Sequence, residues 1–328
     1  MNEFNKNFAE IVKIIQCARE NAYRKINEEL ILTYQRIGKI LFEKSKDSDY
    51  GDRYIDSLSN YIKNKFPGIK GFNRAGLYRM KQFYELYMDN ERVAPLLTQL
   101  TWTNHLLIMS SSKSDAEREF YIILTAKERY SKRELERQID SAYFERFIIS
   151  KEKLLPEKIK SNQNPFLDSY VIEFLNLPQQ YNERELRKAL INGMRDFILE
   201  LGKDLTFVGE EYKIHVGNED FSIDLLFYHR NLCCLVAIEL KVGKFQPEYI
   251  SKMDFYLEGL DRQVKKPTEN PSVGLILCAS KDDEIVEYAM SRTLSSMMVA
   301  EYKLQLPDKE ILRNKLQELR DIPQIDKD

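Results

Sequence analysis

The chain has 328 residues, 43% of them hydrophobic and 31% charged, and a formal net charge of −2. This is the composition of a globular protein with room for two domains. No run is long and apolar enough to span a bilayer, and the opening MNEFNKNFAEIVKII has acidic residues and no secretory core, so a cytoplasmic location is expected. The charge is uneven, +4 over residues 1–150 and −6 over residues 151–328, which neither demands nor excludes a nucleic-acid partner. Cys17, Cys233, Cys234 and Cys278 match no zinc spacing and read as buried free thiols. With only His105, His215 and His229 available, a histidine metal site is not expected.

Residues 1–150 read as an all-helical domain. Apolar residues recur at helical spacing from Ile11 to Leu41, and KDSDYGD marks a loop ending near Gly51. A helix over 53–65 stops at Phe66-Pro67-Gly68. The next segment carries Lys70, Arg74, Arg79 and Lys81, with no acidic residue between Asp56 and Glu85. Asn73 can cap its helix. Two helices around a glycine-containing turn, the second basic, resemble a helix-turn-helix or winged-helix element that binds DNA. An ordinary bundle helix with a solvated basic face fits equally well. Trp102 and His105 fall in an apolar stretch, where a lone histidine is usually a core group. Ser131 and Glu134 have capping-box spacing ahead of a helix over 131–149.

Residues 151–166 are charged, hold two prolines and lack periodicity, and so read as a linker to a domain over 167–328. That domain begins with a short apolar segment, 170–177. A helix over 183–201 ends at Gly202, and strands follow at 205–208 and 211–216. Two apolar runs come next, Phe221 to Tyr228 and Leu232 to Val242, around the polar turn His229-Arg230-Asn231. A helix over 246–257 has Pro247 in its first turn. A strand over 272–278, a helix over 282–290, an edge strand over 298–304 and a helix over 308–320 complete the chain. The pattern alone specifies an α/β domain with a mixed sheet.

The two central runs carry charges where a buried strand should carry none. Asp224 sits within the first, and Glu239 and Lys241 share one face of the second. A hairpin can set Asp224 beside Glu239. Adjacent buried carboxylates repel unless a cation lies between them, and a hard divalent ion suits oxygen ligands. Such a site points to metal-assisted phosphodiester hydrolysis, with Lys241 orienting water or neutralising developing charge. A buried ion pair between Lys241 and either carboxylate is the inert alternative. Glu-x-Lys also occurs at Glu211–Lys213 and Glu301–Lys303, so the triplet is informative only in its strand context.

Asp224 followed by Glu239-x-Lys241 on the next strand resembles the PD-(D/E)XK nuclease superfamily. The longer stretches IDLLFYHRNLCCLVAIELKVGKFQPEYISKMDFYL, PSVGLILCASKDDEIVEYAM, GFNRAGLYRMKQFY and LTQLTWTNHLLIM are similar to the YhcG family of bacterial proteins. The resemblance implies a helical N-terminal recognition or assembly module and a restriction-endonuclease-like C-terminal domain with a central mixed sheet. It implies a DNA endonuclease, acting in defence against foreign DNA, using Mg²⁺ or Mn²⁺ on Asp224 and Glu239 with Lys241 as the catalytic lysine. It also implies supporting roles for Glu248 and Lys252. A dimer is expected because double-strand cutting needs two sites. One position departs from the family pattern: where relatives place a helix glutamate, this chain has Arg187, within Leu186-Arg187-Lys188-Ala189-Leu190. Either Glu185 substitutes or the metal shell has one fewer carboxylate. The departure keeps a second possibility open, a DNA-binding or assembly protein whose nuclease site has decayed.

Overall fold

The computed structural model describes residues 3–45, 51–152 and 166–321. The chain divides into two compact units, Met1–Glu136 and Arg137–Asp328. Most of the expected linker, 153–165, lies outside the described residues.

The first unit is helical throughout its described residues. It comprises α1 (Glu3–Ser45), α2 (Gly51–Lys65), α3 (Arg74–Tyr87), a 3-10 turn over Ala94–Gln99, α4 (Trp102–Ser111), α5 (Asp115–Glu128) and the start of α6 (Lys132–Asp140). No strand occurs among these described residues, so the α2–turn–α3 element has no β-wing. Asn73 caps α3, its side chain accepting from the Gly76 N–H at 2.9 Å. Gly38 lets α1 lie directly on α3: a Cβ there would sit 2.1 Å from the Met80 carbonyl oxygen. Ile31, Tyr34 and Leu41 of α1 are buried against this contact, as are Leu77, Met80 and Phe83 of α3. Trp102 packs on Tyr34 and Phe83. His105 is a core group, bonded through Nε2 to the Leu97 carbonyl at 2.8 Å. Burial pushes its pKa down to about 4, which keeps it neutral. Ser131 and Glu134 form the expected capping box.

The second unit is built on a six-stranded sheet. Its strands are β1 (Ser169–Val171), β2 (Leu205–Val216), β3 (Glu219–His229), β4 (Cys234–Lys244), β5 (Val273–Ser280) and β6 (Met297–Lys303), in the order β1-β6-β5-β4-β3-β2. Strands β1, β6, β5 and β4 run parallel, while β3 and β2 add antiparallel as hairpins. The remaining helices are α7 (Tyr143–Glu152), α8 (Glu183–Asn192), α9 (Met194–Leu201), α10 (Glu248–Gln263), α11 (Asp283–Met290) and α12 (Lys309–Asp321). On one sheet face Leu225, Phe227, Val236, Ile238 and Leu240 pack with Leu186, Leu190 and Phe197 of α8 and α9. On the other, Leu226, Leu235, Ala237 and Ile276 pack with Met253, Leu257 and Leu260 of α10. Central strands covered on both faces must be continuously buried, and every residue of β4 from Cys234 to Lys241 is.

Several elements differ from the sequence reading. Strand β6 is not an edge, because the three residues of β1 pair outside it. Residues 205–216 form one strand, since a register shift between Phe207 and Gly209 absorbs the apparent break. The helix expected over 183–201 is two helices meeting at Gly193, where a Cβ would sit 3.2 Å from the Phe174 ring and 3.3 Å from Leu175. Cys234 and Cys278 are buried as expected, but Cys17 and Cys233 are exposed. Cys17 lies on the solvated half of α1, and Cys233 is in the β3–β4 turn with φ 49°. The contacts divide the chain before residue 150, because Arg137 and Arg146 hold Glu200 of α9 and so place residues 137–152 with the sheet unit.

Candidate active site

The charged cluster forms where β3 and β4 begin to separate, flanked by the first turns of α8 and by α10. The β3–β4 ladder runs from His229 opposite Cys234 to Leu225 opposite Ile238, so the next step of the register sets Asp224 opposite Glu239. The Asp224 carboxylate is anchored by the Leu240 N–H, which donates to Oδ2 at 2.9 Å. Its Oδ1 accepts from Nη1 of Arg187 at 2.8 Å.

Glu239 is buried. Its Oε1 takes two ammonium groups, Lys252 at 2.5 Å and Lys241 at 3.0 Å. Its Oε2 is buried and has no hydrogen-bond partner. Burial pushes the Glu239 carboxyl above its usual range and the charge of Asp224 adds to the push; the two lysines pull the other way without cancelling it. Burial disfavours the Lys241 ammonium, yet Glu239 and Glu183 outweigh that cost and hold its pKa up. Lys241 also contacts both oxygens of Glu183 at 3.2 Å and lies 5.2 Å from the centre of the Tyr249 ring. Lys252 is held up in the same way by Glu239 against the cost of burial, and lies over Tyr256.

The structure thus brings Asp224, Glu239, Lys241 and Lys252 together. It does not bring Glu185: that carboxylate accepts from the Asn182 N–H at 2.9 Å and closes the capping box of α8. Glu248 is exposed in the first turn of α10 and makes no hydrogen bond or ion pair among the described residues. Lys252, four residues on, turns to Glu239 instead. Two partners were not among the expected site residues. Glu183 reaches Lys241, and Glu211 accepts from Nη2 of Arg187 at 2.5 Å. Glu183 was visible as an acid one helical turn before Arg187 (i, i+4), which places both on one face of α8. Glu211 had no such signal: it lies in the left-handed region, φ 45°, at the step of β2 opposite Asp224. In the other unit, Lys70 lies in the turn before α3 and Arg79 on α3, both exposed. Lys81 is half-buried, and Arg74 pairs with Asp56 at 3.1 Å.

A divalent ion fits this donor set in a restricted way. Among the described residues no three His, Cys, Asp or Glu side chains converge as a metal group. Two carboxylates do meet, and one has a buried oxygen with its acceptor capacity unused. Mg²⁺ usually binds through one or two carboxylates and keeps several waters. Arg187, at the position where the family resemblance implied a third, pairs with Asp224 at 2.8 Å.

A carboxylate pair and a lysine at the divergence of two central strands, in a mixed sheet covered by helices on both faces, define a nuclease domain of the PD-(D/E)XK class. Residues 163–317 match the model of the YhcG PDDEXK nuclease domain, and residues 10–146 match that of the DUF1016 N-terminal domain. The chain is 31% identical over 346 aligned positions to YhcG of Escherichia coli (strain K12), a nuclease by provisional assignment, covering 93% of this chain and 92% of that protein. The chain belongs to the YhcG family. Structural matches are remote. A repair endonuclease from Pyrococcus abyssi aligns over 40% of this chain and 50% of its own, at 17% identity and a TM-score of 0.26. A structure of EndoMS with double-stranded DNA aligns over 40% and 49%, at 15% identity and the same score.

Proposed function

We propose that the chain is a Mg²⁺- or Mn²⁺-dependent DNA endonuclease, with Asp224 and Glu239 holding the ion and Lys241 acting at the scissile phosphate. The observation that carries this reading is Oε2 of Glu239, buried and without a partner beside a second carboxylate. A buried charged oxygen left unpaired is costly, and a structural ion pair does not need to leave one. When bound, a divalent ion would offset charge on the phosphate and make a water easier to deprotonate. The Leu240 N–H fixes the Asp224 carboxylate, and Lys252 occupies Oε1 of Glu239 while Oε2 stays unshared. Lys241, held between Glu239 and Glu183, keeps its proton and can orient water or neutralise developing charge. Lys70, Arg74, Arg79 and Lys81 are assigned to backbone contacts with DNA, which carry no sequence information. A role in defence against foreign DNA, a cytoplasmic location and a dimeric state complete the reading.

The second reading, a DNA-binding or assembly protein with a decayed nuclease site, is favoured by one observation. The Arg187 guanidinium already neutralises Asp224. Cleavage of supercoiled plasmid with Mn²⁺, wild type beside Glu239→Ala, separates the two. Cutting by wild type alone is expected; equal cutting by both proteins, or none by either, overturns the nuclease reading.

A further inference from the structure

Helix α1 carries two apolar stripes on different sides. In its C-terminal half Ile31, Tyr34 and Leu41, together with Gly38, face the contact with α3. Followed backwards in the same three- and four-residue steps, this stripe becomes Asn27, Arg24, Glu20, Cys17 and Lys13, all polar apart from an exposed thiol. The N-terminal half has a separate stripe: Phe8, Ile11, Ile15, Ala18 and Ala22, flanked by Val12, Ile14 and Ile26. Followed forwards, it passes Glu29 and Arg36, which are exposed and paired with each other. At 100° per residue the two stripes lie roughly 140° apart. The N-terminal stripe is a surface of its own, not an extension of the packing on α3.

Every described residue from Lys13 to Ile26 is exposed, and Phe8, Ile11, Val12, Ile14, Ile15, Tyr23 and Ile26 are each more than half exposed. Phe8, Ile11, Val12, Ile14, Ile15 and Ile26 bring roughly 100 Å² each, so covering the face on two chains removes about 1,200 Å² from water, at the lower end of the range of about 1,200–2,000 Å² of a specific interface. A patch this large rarely stays open to water.

We propose that this face binds the same face of a second copy of the chain, the two α1 helices running antiparallel about a two-fold axis between residues 16 and 17. The order of side chains selects both the partner and the direction. An antiparallel pair about that point sets Ile15 opposite Ala18 and Ile11 opposite Ala22, large against small in the central layers. Phe8 then meets the turn that holds Lys25 and Ile26. A parallel pair would stack isoleucine on isoleucine and alanine on alanine, crowding one half and leaving gaps in the other, which close packing penalises. Identical patches related by a two-fold axis are the commonest route to a closed dimer. The inference deepens the dimeric part of the proposed function but does not depend on cleavage.

Sedimentation velocity of the full-length protein from about 1 to 50 µM tests it. Wild type is expected to sediment as a dimer. Ile11→Asp/Ile15→Asp should be monomeric with unchanged helicity. Ala18→Ile should weaken the dimer at least tenfold, whereas an indiscriminate sticky surface would bind more strongly. The swap Ile15→Ala/Ala18→Ile should restore pairing, because each large residue again meets a small one. A monomeric wild type at every concentration, as expected if a different protein covers this face, overturns the proposal. So does a dimer that survives the double aspartate change, or one that Ala18→Ile tightens.

Discussion

Glu200 and Glu239 are buried carboxylates of the same unit, each gripped by two basic side chains, yet they are treated in opposite ways. Glu200 of α9 is fully used. Its Oε1 accepts from Arg146 at 2.6 Å and from the Val171 N–H at 2.8 Å, and its Oε2 accepts from Arg137 at 2.9 Å. Burial alone would raise its pKa, but Arg146 and Arg137 outweigh it and hold the carboxyl below its usual range. Glu239 has both lysines on one oxygen, the other oxygen bare, and a second carboxylate beside it. Its pKa is raised. A carboxylate that only ties elements together is satisfied on every side. One left short, next to another acid, has capacity for something the chain does not supply.

The largest expected effect sharpens the structural half of that contrast. Breaking a buried pair by removing one partner costs about 3–5 kcal/mol, so Glu200→Gln should destabilise the sheet unit by that amount in urea melts. Because its folded pKa is lowered, Glu200 contributes stability above its unfolded pKa that is lost as pH falls through the folded one. The acid limb of the wild-type stability curve should therefore flatten in Glu200→Gln. An unaltered limb would show that the Arg137–Glu200–Arg146 cluster does not drive acid unfolding.

On the other side of the comparison, Lys241→Ala should lower plasmid cleavage by roughly 10²–10³-fold, the usual cost of removing a group that stabilises developing charge. Arg187→Glu returns a carboxylate to the first helix and frees Asp224. It should tighten Mn²⁺ binding by about 10–100-fold, the scale on which neighbours of metal ligands act. Weaker binding would mean that Arg187 organises the site and does not block it. The smallest effect is in metal-free stability. A raised folded pKa means that the contribution of Glu239 is fully present below its unfolded value and lost as pH rises through the folded one. At neutral pH Glu239→Gln should be as stable as wild type or better by about 1 kcal/mol or less, the advantage vanishing in acid. A large loss of stability in Glu239→Gln would make the two carboxylates alike and remove the contrast.

Strand periodicity carried most of the site. The alternation along β4 put Glu239 and Lys241 on one face, and the short turn put Asp224 opposite them. Lys252 entered the expected set through the family resemblance, not through periodicity. What periodicity could not carry were groups whose position depends on tertiary contact or on irregular backbone. Glu211 reaches Arg187 from a left-handed residue that no strand pattern forecasts. Glu185 is near Glu183 in sequence, but a capping box and an ion pair to Lys241 separate their fates. The Glu200 cluster joins residues from α6, α7, α9 and β1, so nothing local in the sequence announced it. Fold class was legible because helix and strand periods are strong. The place of β1 outside β6 was not, because three residues are too few to show a period.

The most direct test of the central claim, that Glu239 is left unsatisfied for a metal, is a calorimetric Mn²⁺ titration of the full-length protein beside Glu239→Gln. One saturable site in wild type, lost in Glu239→Gln, is the predicted result. No saturable binding in wild type, or the same binding in both proteins, would contradict it.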